Sequence, residues 1–171
     1  MTAPDARPGA RPDLEVRMLE GVVQIVCPHC DRDNRLPRDW LRSAPPCVAC
    51  GNALFEGRPV LLDDERRFDK HIRHNDIPVL TLFHTVWSGE SRVLQSVFDQ
   101  AAAALEPRAR LVSIDGAALS DLTERLKVVR YPTLLLLYRE RELARATGAM
   151  HLAQLLAWAR PLITTVVTGP G

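Results

Sequence analysis

The chain has 171 residues, a formal net charge of +1 at pH 7, and 46% hydrophobic and 25% charged residues. This length fits one medium-sized domain with a small additional module, and the composition is ordinary for a soluble globular protein. The nearly balanced charge excludes a global field that would attract nucleic acid or an anionic membrane. No run of 18 apolar residues occurs, so the sequence predicts no transmembrane helix.

The N-terminal segment, residues 1–17, is rich in proline, arginine and alanine, and we predict a mobile arm there. It lacks the apolar stretch of a secretory signal. We therefore expect the protein to stay in the cytoplasm. Thiols are kept reduced in that compartment, so paired cysteines indicate metal or redox work rather than structural disulfides.

The four cysteines of the chain form two C-x₂-C pairs, Cys27 with Cys30 and Cys47 with Cys50. The spacing between the pairs falls in the range of a four-thiolate zinc site, in which each pair forms a tight turn that aims two sulfurs at one ion. No cysteine is left over. We therefore predict one zinc ion, held by all four thiolates in a zinc ribbon over residues 18–58.

Other interpretations of this segment stay open. The two pairs can be coincidental, leaving four reduced surface thiols, and the same ligands can hold iron, although zinc is the usual occupant. His29 lies inside the first pair, but four sulfurs already complete the coordination shell, so we predict a solvated side chain or one that hydrogen-bonds a ligand. The segment lacks the basic excess and aromatic side chains of a nucleic-acid-binding ribbon, so we predict no nucleic-acid partner.

From residue 59 onward, short apolar runs alternate with amphipathic helical patterns, which predicts an α/β domain over residues 59–160. Pro161 is expected to end the last helix and to leave residues 161–171 as a tail. The predicted strands cover residues 59–62, 79–83, 111–115, 134–137 and 143–147, and the predicted helices cover residues 63–74, 90–105, 118–127 and 150–159.

A strand-to-helix corner organises this domain. The buried strand 79–83 leads through Trp87 and Ser88 into a helix, and a serine at that position is typical of a helix N-cap. Ser88 as a nucleophile assisted by His84 is an alternative. It is disfavoured because no G-x-S-x-G motif is present and side chains alternate faces at a strand end. We therefore predict that Ser88 or Ser91 caps the helix.

Residues 87–91 read W-S-G-E-S, which resembles the W-C-G-P-C active-site corner of the thioredoxins with both cysteines replaced by serine. Residues 27–37 and 53–57 resemble the ribbon and the junction of zinc-containing bacterial thioredoxins, the thioredoxin-2 branch. The resemblance covers roughly residues 27–158. It implies a thioredoxin fold, a central mixed sheet flanked by helices, preceded by a small zinc ribbon.

The same resemblance implies that the thiol chemistry is lost as a whole. The family's buried aspartate corresponds to Leu82, its lysine partner to Ser113, and the proline before the tryptophan to Val86. A serine hydroxyl stays protonated near neutral pH and cannot exchange with a disulfide, which requires a thiolate. We therefore predict no catalytic residue, with Ser88, Ser91 and Leu82 as degenerate redox positions.

The resemblance also implies a peptide-binding groove. In the family, the proline that corresponds to Pro132 follows a cis peptide bond, and the residue before it, here Tyr131, offers its backbone to an extended peptide. Trp87, Tyr131, Pro132 and Gly148 would line this groove. The alternative is that Pro132 and Gly148 only preserve the fold.

We therefore predict a redox-silent protein-binding module, chaperone-like or scaffolding, that holds a protein partner or an unfolded client. We predict neither a nucleic-acid nor a membrane partner. One alternative is a member of the oxidoreductase class, or a redox sensor, that acts through the ribbon cysteines. A second alternative is a structural subunit of a complex.

Overall fold

A computed structural model describes residues 21–168. The predicted N-terminal arm, residues 1–17, lies outside the described residues. Within them, the chain forms β1 (Val22–Val26), β2 (Asp33–Pro37), a 3₁₀ helix (Arg38–Ser43), β3 (Val60–Leu61), α1 (Glu65–His74), β4 (Val79–His84), α2 (Gly89–Leu105), β5 (Arg110–Asp115), α3 (Ser120–Arg125), β6 (Thr133–Tyr138), β7 (Arg141–Thr147) and α4 (Leu152–Thr168). No helix in this part of the chain is both long and apolar enough to cross a bilayer.

The ribbon is an antiparallel pair of strands with a small core of its own. β1 pairs with β2, with Val22 opposite Pro37 and Val26 opposite Asp33. Its buried apolar side chains include Val23 and Ile25, and they pack with Ile77, which precedes β4. Because Ile77 belongs to the following domain, the ribbon core is completed by that domain.

The second sheet has five strands in the order β3-β5-β4-β6-β7. β3, β5 and β4 run parallel, whereas β6 is antiparallel to β4 and β7 is antiparallel to β6. All six residues of β4 are buried, because helices cover both faces of a central strand. The mixed sheet implied by the family resemblance is confirmed.

Two helical layers enclose this sheet. On one face, α2 and α4 pack through side chains that include Leu94, Phe98 and Leu155. On the other face, α1 and α3 pack through Phe68 and Leu122. The predicted helical periodicities of these four segments therefore correspond to real buried faces.

The predicted end of the last helix at Pro161 is wrong, because α4 continues through this proline to Thr168. Proline lacks an amide hydrogen and removes one helical hydrogen bond. Packing offsets this loss: Ile163, beyond the proline, is 2% exposed, and Leu162 and Val167 also pack against the core. The burial of this apolar face keeps the helix intact.

Candidate functional site

The strand register brings the predicted groove residues to one end of the sheet. Thr133 of β6 lies opposite Phe83 of β4 and opposite Thr147 of β7. The segments that follow β4, precede β6 and follow β7 therefore emerge together. These segments carry the four predicted groove residues Trp87, Tyr131, Pro132 and Gly148.

The side chains of the two serines at the start of α2 accept hydrogen bonds that stabilise the corner. Ser88 is the N-cap, and its side chain accepts a hydrogen bond from the Ser91 amide at 3.1 Å. The Ser91 side chain is fully buried, and its Oγ accepts from the Thr85 amide at 3.3 Å. The N-cap prediction is thus observed for Ser88, while Ser91 holds the preceding loop.

His84 does not assist either serine. It is 4% exposed, and its Nδ1 lies 3.0 Å from Nε2 of Gln95. Burial lowers the pKa of His84, partly opposed by the charge of Asp115, so the ring is neutral at pH 7. No hydrogen bond joins the ring to Ser88 or Ser91 in the part of the chain that the structure describes. The nucleophile alternative has no geometric support.

The two strand positions at which the resemblance would place a proton relay lie behind the corner. Leu82 is fully buried and lies opposite Ser113 in the pairing of β4 with β5. A cavity of about 390 Å³ opens at these two residues, and its charged lining comes from Arg92 and Asp99 of α2. Neither strand position carries a titratable group, so neither can pass a proton to the corner.

The predicted groove residues include an exposed tryptophan and a backbone segment without hydrogen-bond partners among the described residues. Trp87 is 69% exposed, although tryptophan is usually well covered. The Tyr131–Pro132 bond is cis, and the Gly148 amide donates to the Pro132 carbonyl at 2.9 Å. Among residues 21–168, neither the N–H nor the C=O of Tyr131 has a hydrogen-bond partner.

Gly116 is a positioning residue that sequence reasoning missed. A side chain at this position would collide with the ring of Tyr131, so the ring lies directly over the glycine. The Gly116 amide also donates to the His84 carbonyl at 2.8 Å, which fixes the turn after β5. A glycine that follows a predicted strand was the only available signal, and such glycines are common in turns.

The four cysteines converge as their spacing predicts. Their Sγ atoms lie within 4.8 Å of one another, with Cys27 and Cys50 3.6 Å apart and Cys30 and Cys47 3.7 Å apart. Four thiolates at the zinc–sulfur distance of about 2.3 Å in a tetrahedron are themselves about 3.8 Å apart. The cluster therefore has the size and donor set to hold a metal ion.

Backbone amides point at two of these sulfurs, but the pKa values of the two thiols shift in opposite directions. The backbone N–H of His29 points at Cys27 Sγ, and that of Ala49 points at Cys47 Sγ, each at 3.4 Å. Burial raises the pKa of the Cys47 thiol, but the amides of Cys50 and Ala49 outweigh it and lower that pKa to about 6. Burial raises the pKa of the Cys27 thiol to about 12. Bound metal would have to displace that proton.

The His29 side chain points away from the sulfur cluster. Its Nε2 lies 3.0 Å from Glu56 Oε1, and Glu56 also accepts from Arg58 at 3.1 Å. The prediction that His29 is not a ligand agrees with this placement, since its ring is occupied at the ribbon surface.

A buried arginine joins the ribbon to the domain. Arg110, at the start of β5, is 1% exposed and donates to the carbonyls of Leu54 and Val26 at 2.7 and 3.4 Å. Its counterion is Glu106 at 3.2 Å, and the guanidinium lies 4.4 Å from the centre of the Phe55 ring. The sequence gives no sign of this contact, because a lone arginine before a strand is ordinarily solvated.

A second connection runs from the first cysteine turn to α1. Arg67 donates to both carboxylate oxygens of Asp31, at 2.7 and 3.1 Å, and to the Pro28 carbonyl at 3.1 Å. His71 is fully buried beside Asp31. Burial, together with the charge of Arg110, lowers the pKa of His71 to about 4, so this residue is neutral at pH 7.

Comparison with known proteins agrees with this geometry. The family model described as Thioredoxin matches residues 59–161. Thioredoxin C-3 of Corynebacterium nephridii is 33% identical over 134 residues, which cover 78% of this chain and 91% of that protein. Few residues follow position 161, so this match extends into the segment before residue 59. Thioredoxin-1 of Drosophila melanogaster is 31% identical over 83 residues, covering 48% of this chain and 78% of that protein.

Solved structures show the same fold at lower sequence identity. A mutant thioredoxin from Halobacterium salinarum matches with a TM-score of 0.58 and 21% identity, covering 64% of this chain and 94% of that chain. Thioredoxin from Trypanosoma brucei brucei matches with a TM-score of 0.56 and 20% identity, covering 62% of this chain and 91% of that chain. The family model matches more than half of this chain, and the fold agrees with it. The chain therefore belongs to the thioredoxin family.

Proposed function

We propose that this chain is a redox-silent thioredoxin-family protein that binds an extended segment of a protein partner or client in the groove at Trp87 and Tyr131. The observation that carries the proposal is the backbone of Tyr131, whose N–H and C=O have no partner among the described residues. An incoming strand would complete both hydrogen bonds, as in other modes of strand addition.

The surroundings of Tyr131 support an apolar contact. Val86 and Trp87 are 64% and 69% exposed, and Val129 is 86% exposed. Large aromatic side chains in such positions commonly carry much of the binding energy of an interface. The backbone would hold the partner strand, while Trp87 would contact its side chains.

We infer that the ribbon cluster holds one structural zinc ion through Cys27, Cys30, Cys47 and Cys50. Closed four-thiolate shells are typical of structural rather than catalytic zinc, because no coordination position is left for a substrate. Bound zinc would supply folding free energy to the ribbon. In this proposal the four ribbon cysteines have a structural role and take no part in electron transfer.

The proposal predicts that binding depends on Trp87 and not on the serines. A partner isolated by affinity capture should lose roughly 2 kcal/mol or more of binding free energy on Trp87→Ala, the usual scale for a central aromatic contact. Ser88→Ala should cost no more than about 1 kcal/mol of stability through the lost N-cap, with little change in affinity. Isothermal titration of both variants measures the two effects.

A matched control uses the other exposed tryptophan. Trp40 is 61% exposed but belongs to the 3₁₀ helix of the ribbon, so Trp40→Ala should leave groove binding unchanged. The groove proposal fails if Ser88→Ala abolishes binding while Trp87→Ala leaves it intact.

The missing redox chemistry leads to a separate prediction. The chain should not reduce insulin above the no-protein control, and Ser88→Cys with Ser91→Cys should create only a slow reductase. The helix start would lower the pKa of the first thiol, but the relay would still lack its carboxylate at Leu82. Adding Leu82→Asp should raise the rate and lower the stability, since a buried carboxylate needs a partner. A double-cysteine variant with the rate of an ordinary thioredoxin would contradict this account.

A second candidate function rests on the exposure of two ribbon cysteines. Cys30 and Cys50 are exposed, so an oxidant could reach their sulfurs and release the metal, as in a redox sensor. Peroxide treatment followed by zinc-release measurement distinguishes this function. Rapid, reversible release that alters partner binding would favour the sensor, whereas inert zinc favours a purely structural ribbon.

A further inference from the structure

A second cavity lies where the 3₁₀ helix of the ribbon meets the thioredoxin domain. It encloses about 170 Å³. Its apolar lining includes two buried residues, Leu41 and Ile77, which are 6% and 1% exposed, together with Pro107 and Val167. The cavity therefore has an apolar floor formed by both parts of the molecule.

Three arginines surround this floor. Arg38 and Arg42 belong to the 3₁₀ helix, and Arg108 lies in the loop after α2. All three are exposed, and none forms an ion pair with any residue between positions 21 and 168. The only carboxylate in the lining is that of Asp39. Other exposed arginines, such as Arg66, also lack an ion pair among the described residues, so the distinguishing feature is that three of them line one apolar cavity.

We propose that this cavity binds an acidic segment of a partner protein, which inserts one aliphatic side chain into the floor and places carboxylates against the three arginines. Separated positive charges around an apolar pocket are complementary to several carboxylates around an apolar anchor.

The size of the cavity sets what can enter it. An apolar cavity of about 150 Å³ accepts a ligand the size of benzene. One leucine or methionine side chain therefore fits, whereas the acyl chain of a lipid does not. An extended peptide also advances by about 3.3 Å per residue. Carboxylates on either side of the anchor can therefore reach different arginines.

This cavity is separate from the peptide groove. The groove lies at the N-terminal end of α2, and the cavity includes Pro107, just beyond the C-terminal end of that helix at Leu105. At 1.5 Å per residue, the helix separates the two sites by about 25 Å. Two partner segments can therefore be bound at once.

The test uses the full chain and a fluorescein-labelled peptide in which one leucine is flanked by two glutamates on each side. Fluorescence anisotropy in low salt should show binding that weakens with added salt, since the Debye length is about 10 Å at 0.1 M. Arg38→Ala, Arg42→Ala and Arg108→Ala should each lower the affinity roughly fivefold, the scale of an exposed charge pair. Replacing the leucine of the peptide by asparagine should lower it at least about tenfold.

The matched controls are Arg66→Ala, which removes an exposed arginine from α1 away from the cavity, and Trp87→Ala in the groove. Neither should change the affinity. Equal losses in Arg66→Ala and the three cavity variants would overturn the proposal, as would a leucine-independent affinity. Tighter binding of a labelled oligonucleotide that depends on the same arginines would overturn it in favour of a nucleic-acid site.

In the remaining outcome, the occupant of the cavity is the N-terminal segment of the same chain. The Arg38 amide donates to the Gly21 carbonyl at 2.7 Å, so the chain enters the described structure beside the cavity. Residues 13–16 read D-L-E-V, which has the proposed chemistry. If Leu14→Ser with Glu15→Lys raises the affinity for the peptide more than tenfold, the occupant is this segment, and the proposal of a separate partner is overturned.

Discussion

Removal of zinc with a strong chelator at neutral pH is expected to unfold the ribbon, residues 21–58, while the thioredoxin domain stays folded but becomes less stable. Structural zinc in ribbon-like modules contributes on the order of 10–16 kcal/mol at neutral pH. The small ribbon core cannot replace that contribution. The domain has two larger apolar clusters, one on each face of its sheet.

The expected loss of domain stability follows from Arg110. Once the ribbon unfolds, this buried guanidinium loses the Leu54 and Val26 carbonyls that accept its hydrogen bonds. Amide hydrogen exchange with and without chelator measures both effects separately along the chain. Elemental analysis that finds no metal in freshly prepared, reduced protein would end the zinc proposal, and uniform protection after chelation would contradict the predicted unfolding.

Glu106→Gln is expected to destabilise the protein by about 3–5 kcal/mol, because it leaves the buried Arg110 guanidinium without its counterion. The two side chains are 4% and 1% exposed. Burial lowers the pKa of Arg110 and raises the pKa of Glu106, while each charge favours the ionised form of the other. Urea denaturation followed by far-ultraviolet circular dichroism measures the change.

A double variant separates the interaction between Glu106 and Arg110 from the cost of leaving one charge buried alone. Glu106→Gln with Arg110→Met should be less destabilising than the sum of the two single changes, since no uncompensated charge remains. Arg73→Gln serves as the matched control. Its partner Glu140 lies 2.6 Å away, but both side chains are about half exposed, so the cost should be at most about 1 kcal/mol. Equal effects at the buried and exposed pairs would contradict the expectation that burial makes the loss of the Arg110 counterion costly.

Much of the domain fold could be predicted from the sequence because its signals are local. The buried run of β4 and the helical periodicity of α2 each lie in one short segment, and Ser88 at their junction is a recognisable cap. Pro161 was misleading for the same reason. Its local effect is to end a helix, and only the packing of Ile163 against the sheet shows that the helix continues.

The sequence by itself identified the four cysteines of the candidate metal site, because ligand spacing is a property of the chain. It also placed Ser88 and Ser91 at the strand-to-helix corner, and a serine cannot perform thiol–disulfide exchange. The tertiary structure alone decided which distant residues meet. That the segments carrying Tyr131 and Trp87 emerge at the same end of the sheet depends on the order and register of β4, β6 and β7. The buried Arg110 and the three-arginine cavity depend on how the ribbon packs against the domain. Contacts between segments far apart in the chain leave no local periodicity, so they become visible only when the sheet and the ribbon are assembled.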